Sequence, residues 1–507
     1  MVINCFSAPK YSRLLLRFLL GLFCFLVIII TCGLTVFDRQ HNNIIQDYMA
    51  REDDMVILSA TFFKNSTAYK PNTVVLLLNA HQVFYMKYPY IFISYINGSN
   101  YIQAPFKIEQ VIGQTPFYCK WVPYLAIGQV PDNATSVDVL NDMGNSFQIN
   151  LRTPYNEEHD VVVCFTPLFM NEKWQLMLLS AEVYTHYGAF MHFYVRSMIT
   201  DLFELLTLYK NSRITAWPGV RLGHDRASGP TFDPNLELEF RNQASAMTDC
   251  LLRYKESAKY IIFPDPDDII IPRLGDRTYF GEFQKVFVHF PNAAVIAYNM
   301  SQAALSAGSS PESFSIPSTL KSIHFKGETR WGKLVVKPSL VDSVWIHESY
   351  GIKKGYTQYS LPVYNNSIIH LRYWKENNGL KAKTLTIPKY DPLLLKNGTE
   401  ELIPQKDIDQ IERTFATRMQ MRLATYQNMS STPLYYPLIE KCYNRIFYNG
   451  EHHGTCKGPE LCDIPSFPGV RCVNVINTFE TLPNYNNIYV HHLLSYTFEQ
   501  SYDGCRV

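Results

Sequence analysis

The chain has 507 residues, of which 47% are hydrophobic and 18% are charged. Its length exceeds that of one ordinary domain, and its composition is that of a packed globular protein rather than a disordered or fibrous one. The formal net charge of +1 leaves no global basic field, so we expect no nucleic-acid partner.

The first local signal is an apolar run near the N-terminus. Residues 18–37 contain no charged side chain, and at about 1.5 Å per residue such a helix spans the roughly 30 Å hydrocarbon core of a bilayer. Lys10, Arg13 and Arg17 precede the run, and by the positive-inside rule they keep the N-terminus in the cytosol. We therefore expect a cytosolic tail over 1–17 and a transmembrane signal anchor over 18–37, with single-pass type II topology. A cleaved signal peptide is the alternative, and under either interpretation the remaining chain is luminal.

Sequons and cysteines agree with a luminal location. The N-x-S/T sequons, which predict glycosylation, all follow the apolar run; they begin at Asn65, Asn97, Asn133, Asn299, Asn365, Asn397 and Asn428. An even number of cysteines also follows it, as disulfide pairing in an oxidising lumen requires. They are Cys119, Cys164, Cys250, Cys442, Cys456, Cys462, Cys472 and Cys505. The pairing itself stays open.

The composition changes along the luminal part. Residues 38–56 are mostly polar and are predicted to form a stem. From 57 to 152, short β-rich runs are separated by Asn, Gly and Pro, which predicts a small β-rich domain. Most of the cysteines beyond the anchor fall near the C-terminus, so residues 401–507 are predicted to form a cysteine-rich, loop-rich cap.

Between these regions, near Asp160, strands begin to alternate with longer helical segments, the pattern of the α/β class. The predicted strands are Val161–Phe165, Phe190–Val195, Ile214–Trp217 and Tyr260–Phe263, and the predicted helices are Glu172–Tyr187, Leu202–Tyr209 and Leu236–Tyr254.

A cluster of carboxylates follows the fourth of these strands. Asp265, Asp267 and Asp268 stand directly after it, and in open α/β sheets ligands bind at the carboxyl ends of the strands. Carboxylate oxygens suit Mn²⁺ or Mg²⁺, either of which can bridge the two phosphates of a nucleotide sugar. The alternative is a solvated acidic turn without a ligand.

A series of motifs surrounds this cluster in a fixed order. They are the residues 162–169 (VVCFTPLF), Trp174, Glu182, 186–189 (HYGA), Phe193, Tyr194, Gln243, Asp249, Cys250, Gly332, Lys333, 336–338 (VKP), His347 and 370–372 (HLR). Together with the acidic cluster they resemble glycosyltransferase family 92, over residues 158 to 375. The resemblance implies a GT-A-like catalytic domain, which we place over 158–400.

The resemblance also implies a function. It is the inverting, metal-dependent transfer of a hexose, in the best-known case galactose from UDP-galactose, onto a glycan of a glycoprotein or glycolipid in the Golgi or another secretory-pathway membrane. The alternative is a catalytically inactive relative that binds glycans with the same fold.

Site residues follow from the same resemblance. Asp265 and Asp267 would hold Mn²⁺ or Mg²⁺, with His370 completing the metal shell and His347 as the competing histidine. The donor nucleotide sugar would contact Thr166, Pro167, Asp265, Asp268, Lys333 and Arg372. Packing or surface positions are the alternative for each histidine and cation. The general base stays unidentified, and the candidates are Glu312, Glu328 and Glu348.

Two other patterns are rejected. Residues 327–333 begin like a P-loop, but Leu334 replaces the Ser/Thr and starts a predicted strand instead of a helix. His452, His453, Cys456 and Cys462 have no zinc-finger spacing, so the cysteines are predicted to pair with each other or with Cys472 and Cys505.

Overall fold

The computed structural model describes residues 52–97, 100–112, 119–140, 144–219, 234–238, 242–376, 402–449, 456–485 and 488–506. The predicted cytosolic tail, signal anchor and most of the stem lie outside these residues. Across the described residues, no helix combines the length and the apolar character needed to cross a membrane. The architecture is mixed α/β, with two large sheets.

The first sheet has ten strands and contains the predicted β-rich domain. Its strands are β1 (Asp54–Phe63), β2 (Thr73–His81), β3 (Tyr90–Asn97), β4 (Asn100–Gln110), β5 (Trp121–Gln129), β6 (Ser136–Leu140), β7 (Ser146–Asn150), β10 (Ser197–Ile199), β18 (Cys472–Tyr485) and β19 (Ile488–Ser501). They are ordered β10-β18-β19-β1-β2-β5-β4-β3-β6-β7. Strands β1 to β7 account for the short β-rich runs predicted between 57 and 152.

The strands β18 and β19 correct the prediction of a loop-rich cap over 401–507. They form a long antiparallel pair, and β19 lies parallel to β1, with Asp54 opposite Tyr489. The physical reason lies in the side chains, because Val473, Val475 and Thr478 are β-branched residues that favour an extended backbone. The C-terminal segment therefore completes the first sheet.

The second sheet has nine strands and carries the alternation predicted from Asp160 onward. Its strands are β8 (His159–Leu168), β9 (Phe190–Val195), β11 (Ser212–Ala216), β12 (Ala258–Ile262), β13 (Asp268–Ile270), β14 (Ala293–Ala307), β15 (His324–Val336), β16 (Thr357–Leu361) and β17 (Ile368–Glu376). They are ordered β11-β9-β8-β12-β15-β14-β17-β13, and β16 pairs with β14. The first four strands are parallel, and β15 runs antiparallel to both of its neighbours.

Nine α-helices accompany the sheets in the part of the chain that the structure describes. They are α1 (Phe84–Lys87), α2 (Trp174–His186), α3 (Thr200–Leu206), α4 (Gln243–Tyr254), α5 (Tyr279–His289), α6 (Ile316–Lys321), α7 (Gln405–Gln420), α8 (Leu423–Gln427) and α9 (Tyr435–Tyr443). Short 3₁₀ turns span Pro234–Glu237, Pro338–Leu340 and Pro459–Leu461, and a π-helical turn spans Asn444–Tyr448.

Helix α2 is buried on nearly every side, because the second sheet and α7 both pack against it. Another helix begins later than predicted. Helix α4 begins only at Gln243 instead of Leu236. Asn242 has a left-handed φ of 64°, a conformation that a right-handed helix cannot continue.

Four disulfides confirm the predicted pairing of the eight cysteines. They join Cys119 to Cys456, Cys164 to Cys250, Cys442 to Cys462, and Cys472 to Cys505. The expected partners of Cys456 and Cys462 were wrong. Cys456 is bonded to Cys119, which precedes it by 337 positions and lies just before β5. A contact over such a distance depends on the fold of the whole chain, so the local spacing of the cysteines does not predict it.

A buried carboxylate connects the two sheets. Asp249 on α4 accepts hydrogen bonds from Ser59 on β1 at 3.1 Å, Tyr194 on β9 at 2.8 Å, and the guanidinium groups of Arg152 at 2.5 Å and Arg253 at 2.7 Å. Burial opposes ionisation of Asp249, but the two arginines outweigh it and hold its pKa well below the usual range. A charged network therefore sets the position of α4 beneath the candidate site.

Candidate active site

The acidic segment forms a closed turn at the carboxyl end of β12. The amide of Asp268 donates to the carbonyl of Asp265 at 3.0 Å, and the amide of Asp265 donates to Asp268 Oδ2 at 3.1 Å. Pro266 fixes φ between the first two aspartates. The amide of Leu371 on β17 donates to the carbonyl of Asp267 at 2.8 Å, so the turn is tied to the neighbouring strand.

Two aspartates and a histidine form a candidate metal centre. One ligand atom from each of Asp267, Asp268 and His370 lies within 4.8 Å of the others. His370 Nδ1 is 2.8 Å from Asp268 Oδ1 and 3.9 Å from Asp267 Oδ2. Carboxylate oxygens with one imidazole form a donor set that fits a divalent cation such as Mn²⁺.

Asp265 has a different environment from its two neighbours. Lys333 Nζ on β15 lies 2.7 Å from Asp265 Oδ2, while Thr166 Oγ1 and Gln243 Nε2 donate to Oδ1 at 2.9 and 3.2 Å. Burial opposes ionisation, but Lys333 outweighs it and holds the pKa of Asp265 below its usual value. The structure thus places Asp268 in the metal-competent group, and pairs Asp265, predicted as a metal ligand, with a buried lysine.

The pKa values of Asp267 and His370 are shifted by burial and by the neighbouring carboxylates. Burial raises the pKa of Asp267 to about 6, and the neighbouring carboxylates of Asp268 and Asp265 add to that effect. Burial alone would lower the pKa of His370, but its bond to Asp268 and the nearby carboxylates raise that pKa to about 9. Protons therefore balance part of the negative charge, and a bound divalent cation would replace them.

A cavity of about 680 Å³ opens over this cluster and collects most of the predicted site residues. Those that line it are Thr166, Pro167, Asp265, Asp267, Lys333, His347 and His370. Asp268 is fully buried behind the lining. Arg372 belongs to β17, and its side chain lies outside the described residues.

The two candidate histidines have different partners. His347 Nδ1 lies 2.8 Å from the carbonyl of Gly332, and His347 is outside the group that can hold a metal. His370 stands directly opposite Asp268 in the register of β17 and β13. Among the described residues, the geometry therefore favours His370 over His347 as a ligand.

One wall of the cavity was not predicted from the sequence. It comes from α9 and the π-helical turn after it, through Tyr436, Ile439, Glu440, Tyr443, Asn444 and Tyr448. Glu172, just before α2, accepts hydrogen bonds from the amides of Leu434 and Tyr436 at 2.7 and 2.6 Å, which satisfies donors at the helix N-terminus. The cysteines near α9 were visible in the sequence, but they did not indicate where the helix packs.

Lys173 was also missed. It lines the cavity, and its Nζ lies 2.9 Å from the ring centroid of Tyr436. Burial lowers the pKa of Lys173 to about 8, against the attraction of Asp267 and Glu440. A cation is therefore present where the wall from α9 meets the acidic cluster.

Other candidates from the sequence lie elsewhere. Glu312 and Glu348 do not line the cavity, and the side chain of Glu328 is outside the described residues. Lys337 of the motif 336–338 packs against another side chain, since its Nζ lies 4.7 Å from the ring centroid of Phe287. Leu334 lies within β15, which confirms that the rejected P-loop pattern leads into a strand.

Comparisons with known proteins identify relatives of this chain. The family model of glycosyltransferase family 92 matches residues 159–419. A glycosyltransferase family 92 protein of Caenorhabditis elegans is 48% identical over 505 residues, covering 99% of this chain and 98% of that protein. A second one from the same organism is 32% identical over 463 residues, covering 90% of each chain.

Proposed function

Because the chain belongs to glycosyltransferase family 92, we propose that it transfers a hexose, galactose from UDP-galactose, onto a glycan of a glycoprotein or glycolipid. Membership makes the chain a glycosyltransferase, so a nucleotide-sugar donor and a glycan acceptor are its expected substrates. The donor sugar, the metal dependence and inversion at the anomeric carbon are the parts that we propose.

One observation carries the proposal. Asp267, Asp268 and His370 converge at the carboxyl end of a parallel strand. Asp267 and His370 line a cavity of about 680 Å³ that is large enough for a nucleotide sugar. Hard oxygen ligands and one imidazole at such an edge support binding of a diphosphate through a divalent cation.

Asp267, Asp268 and His370 are the side chains that would hold Mn²⁺ or Mg²⁺. A cation bound there would supply positive charge that stabilises the leaving diphosphate. Asp268 Oδ1 also lies 2.8 Å from His370 Nδ1, so this carboxylate helps to position the imidazole. Lys333 keeps Asp265 ionised and in place beside Thr166.

Residues at the end of β8 complete the donor side of the cavity. Thr166 and Pro167 line it, and we place the nucleotide base there. Lys173 lines the same cavity and contributes positive charge near the position of the diphosphate, where such charge lowers the barrier to transfer. We assign Arg372 to the donor side as well.

We place the protein in the Golgi or another secretory-pathway membrane, single-pass and type II, with its catalytic domain luminal. The apolar run over 18–37 and the sequons after it support this location. The four disulfides support an oxidising compartment.

The donor is tested with the full-length protein in detergent. The protein is incubated with Mn²⁺ and a panel of nucleotide sugars, and nucleotide release is recorded with and without glycan acceptors. We expect release from UDP-galactose above the other donors. Release from a different donor only would contradict the donor assignment and leave the enzyme class intact.

A further inference from the structure

A second cavity, of about 590 Å³, adjoins the one over the acidic cluster. The two share the lining residues Glu172, Lys173, Leu176, Tyr436 and Glu440. Two residues of the candidate metal centre, Asp267 and His370, line the first cavity, and none of its residues lines the second. A donor in the first cavity therefore leaves the second accessible to another substrate.

Hydroxyl and amide groups dominate part of the second cavity. Ser430, Ser431 and Thr432 lie in an exposed turn on its wall, and such groups exchange hydrogen bonds readily with sugar hydroxyls. An ion pair between Arg471 and Asp201 also lines this cavity. The cavity thus offers many neutral polar partners, as an uncharged carbohydrate requires.

Tyr436 stands where the cavities meet and offers an aromatic face. Lys173 Nζ lies 2.9 Å from its ring centroid, which occupies one face of the ring. The side chain of Tyr436 is still 37% exposed. An aromatic ring with an apolar face and a polar hydroxyl can pack against the C–H face of a pyranose.

The two carboxylates at this junction, Glu172 and Glu440, differ in their hydrogen bonds and in their exposure to solvent. Glu172 is held by two backbone amides at the start of α9. Glu440 is exposed to solvent, and it attracts the ammonium of Lys173, as Asp267 does. Among the described residues, Glu440 is thus the exposed carboxylate that both cavities share.

We propose that the second cavity binds the acceptor glycan and that Glu440 is the general base of the transfer. The inference rests on the proposed function, and the family match over 159–419 does not reach α9. The acceptor hydroxyl oxygen forms a bond to the anomeric carbon as the bond from that carbon to the diphosphate oxygen breaks. The diphosphate keeps the electron pair of the broken bond, and Glu440 takes the hydroxyl proton.

The test uses the full-length protein, Mn²⁺ and UDP-galactose with a glycan acceptor. The test variants are Glu440→Gln and Tyr436→Ala. They are compared with the wild type, with the conservative variant Glu440→Asp, and with the control Glu499→Gln on the exposed end of β19. Mn²⁺-dependent UDP binding is measured beside kcat and the acceptor KM. Each protein is also assayed with Asn428→Gln, since a glycan on Asn428 would share the cavity.

We expect Glu440→Gln to lower kcat by about 10²-fold or more, the usual contribution of a general base, with the Kd for UDP unchanged. Glu440→Asp should retain part of the turnover. Tyr436→Ala should raise the acceptor KM by about tenfold, the effect of losing a stacking contact, and Glu499→Gln should match the wild type.

Wild-type turnover in Glu440→Gln, or an unchanged acceptor KM in Tyr436→Ala, would overturn the acceptor assignment while the proposed function stands. Loss of UDP binding in Glu440→Gln would also overturn it, because a base acts only on the acceptor. A wild type that neither binds UDP nor releases it from the donor would overturn the proposed function itself.

Discussion

His370 and Asp268 are separated by 102 residues in sequence, yet they face each other across β17 and β13 with Nδ1 and Oδ1 2.8 Å apart. Register in a sheet sets side-chain position, so this pair is held by backbone hydrogen bonds on both strands. The arrangement resembles the carboxylate–histidine support that orients metal-binding imidazoles in proteins.

Removing this support tests its role. Asp268→Asn should weaken Mn²⁺ binding by about 10- to 100-fold. The neutral amide removes a negative charge from the site and holds the imidazole of His370 less strongly than the carboxylate does. The Kd for Mn²⁺ is measured on the full-length protein after metal removal. Asp160→Asn, at an exposed ion pair with Lys259, is the control, and equal affinity in the two variants would contradict the assignment.

The buried Asp249 should dominate the stability of α4. Asp249→Asn leaves Arg253 buried without its negative partner, and the cost of such a change is about 3–5 kcal/mol of unfolding free energy. Thermal unfolding measures it as a lower midpoint, with Asp160→Asn again as the control. A midpoint within the error of the wild type would show that this network contributes little.

The lowered pKa of Asp249 predicts that the free energy of unfolding depends on pH. Its pKa is lower in the folded than in the unfolded protein, so its contribution to stability is present above the unfolded pKa of about 3.9 and is lost as the pH falls toward the folded value. Acid unfolding of the wild type should therefore be steeper than that of Asp249→Asn. Parallel acid profiles would contradict this.

Lys173 predicts an alkaline limit to activity. Since its pKa is lowered to about 8, its positive charge is lost as the pH rises through that value, and the donor KM should rise there. In Lys173→Arg the guanidinium stays charged, so the rise should move to higher pH. An identical alkaline profile in the two proteins would show that Lys173 does not act on the donor.

The predicted glycosylation sites differ in their exposure to solvent. Asn65, Asn133 and Asn428 are exposed, whereas Asn365 is only 5% exposed. A bulky hydrophilic glycan cannot occupy a buried position, so we expect Asn65 and Asn133 to be modified and Asn365 to be unmodified. Asn428 is left out of this expectation because it lines the cavity assigned to the acceptor. Mass spectrometry of the protein before and after glycosidase treatment checks each site, and a glycan on Asn365 would contradict the packing around it.

Much of the catalytic region could be predicted from the sequence because its signals are local. The apolar run at Val161–Phe165 lies within β8, and the predicted strand at Phe190–Val195 is β9. Asp267 follows a predicted strand, and ligands bind at the carboxyl ends of such strands, so the sequence indicated a site there. Asp267 lines the cavity.

The remaining features depend on long-range packing. Glu440 and Tyr436 reach the cavity because Glu172 holds the start of α9, more than 260 residues away in sequence. Lys333 pairs with Asp265 rather than facing solvent, since β15 lies beside β12 in the sheet. No pattern within a short window of sequence encodes either contact.

The claim that hexosyl transfer at Asp267 depends on a metal is tested in one assay. Full-length protein is stripped with EDTA, and transfer of labelled galactose from UDP-galactose to a glycan acceptor is followed as Mn²⁺ is restored. The wild type and Asp160→Asn should regain transfer, and Asp267→Asn should remain at least about 10²-fold below them. Transfer by Asp267→Asn equal to that of the wild type, or wild-type transfer that persists in EDTA, would contradict the claim. No transfer by the folded wild type would instead support a glycan-binding relative of the family.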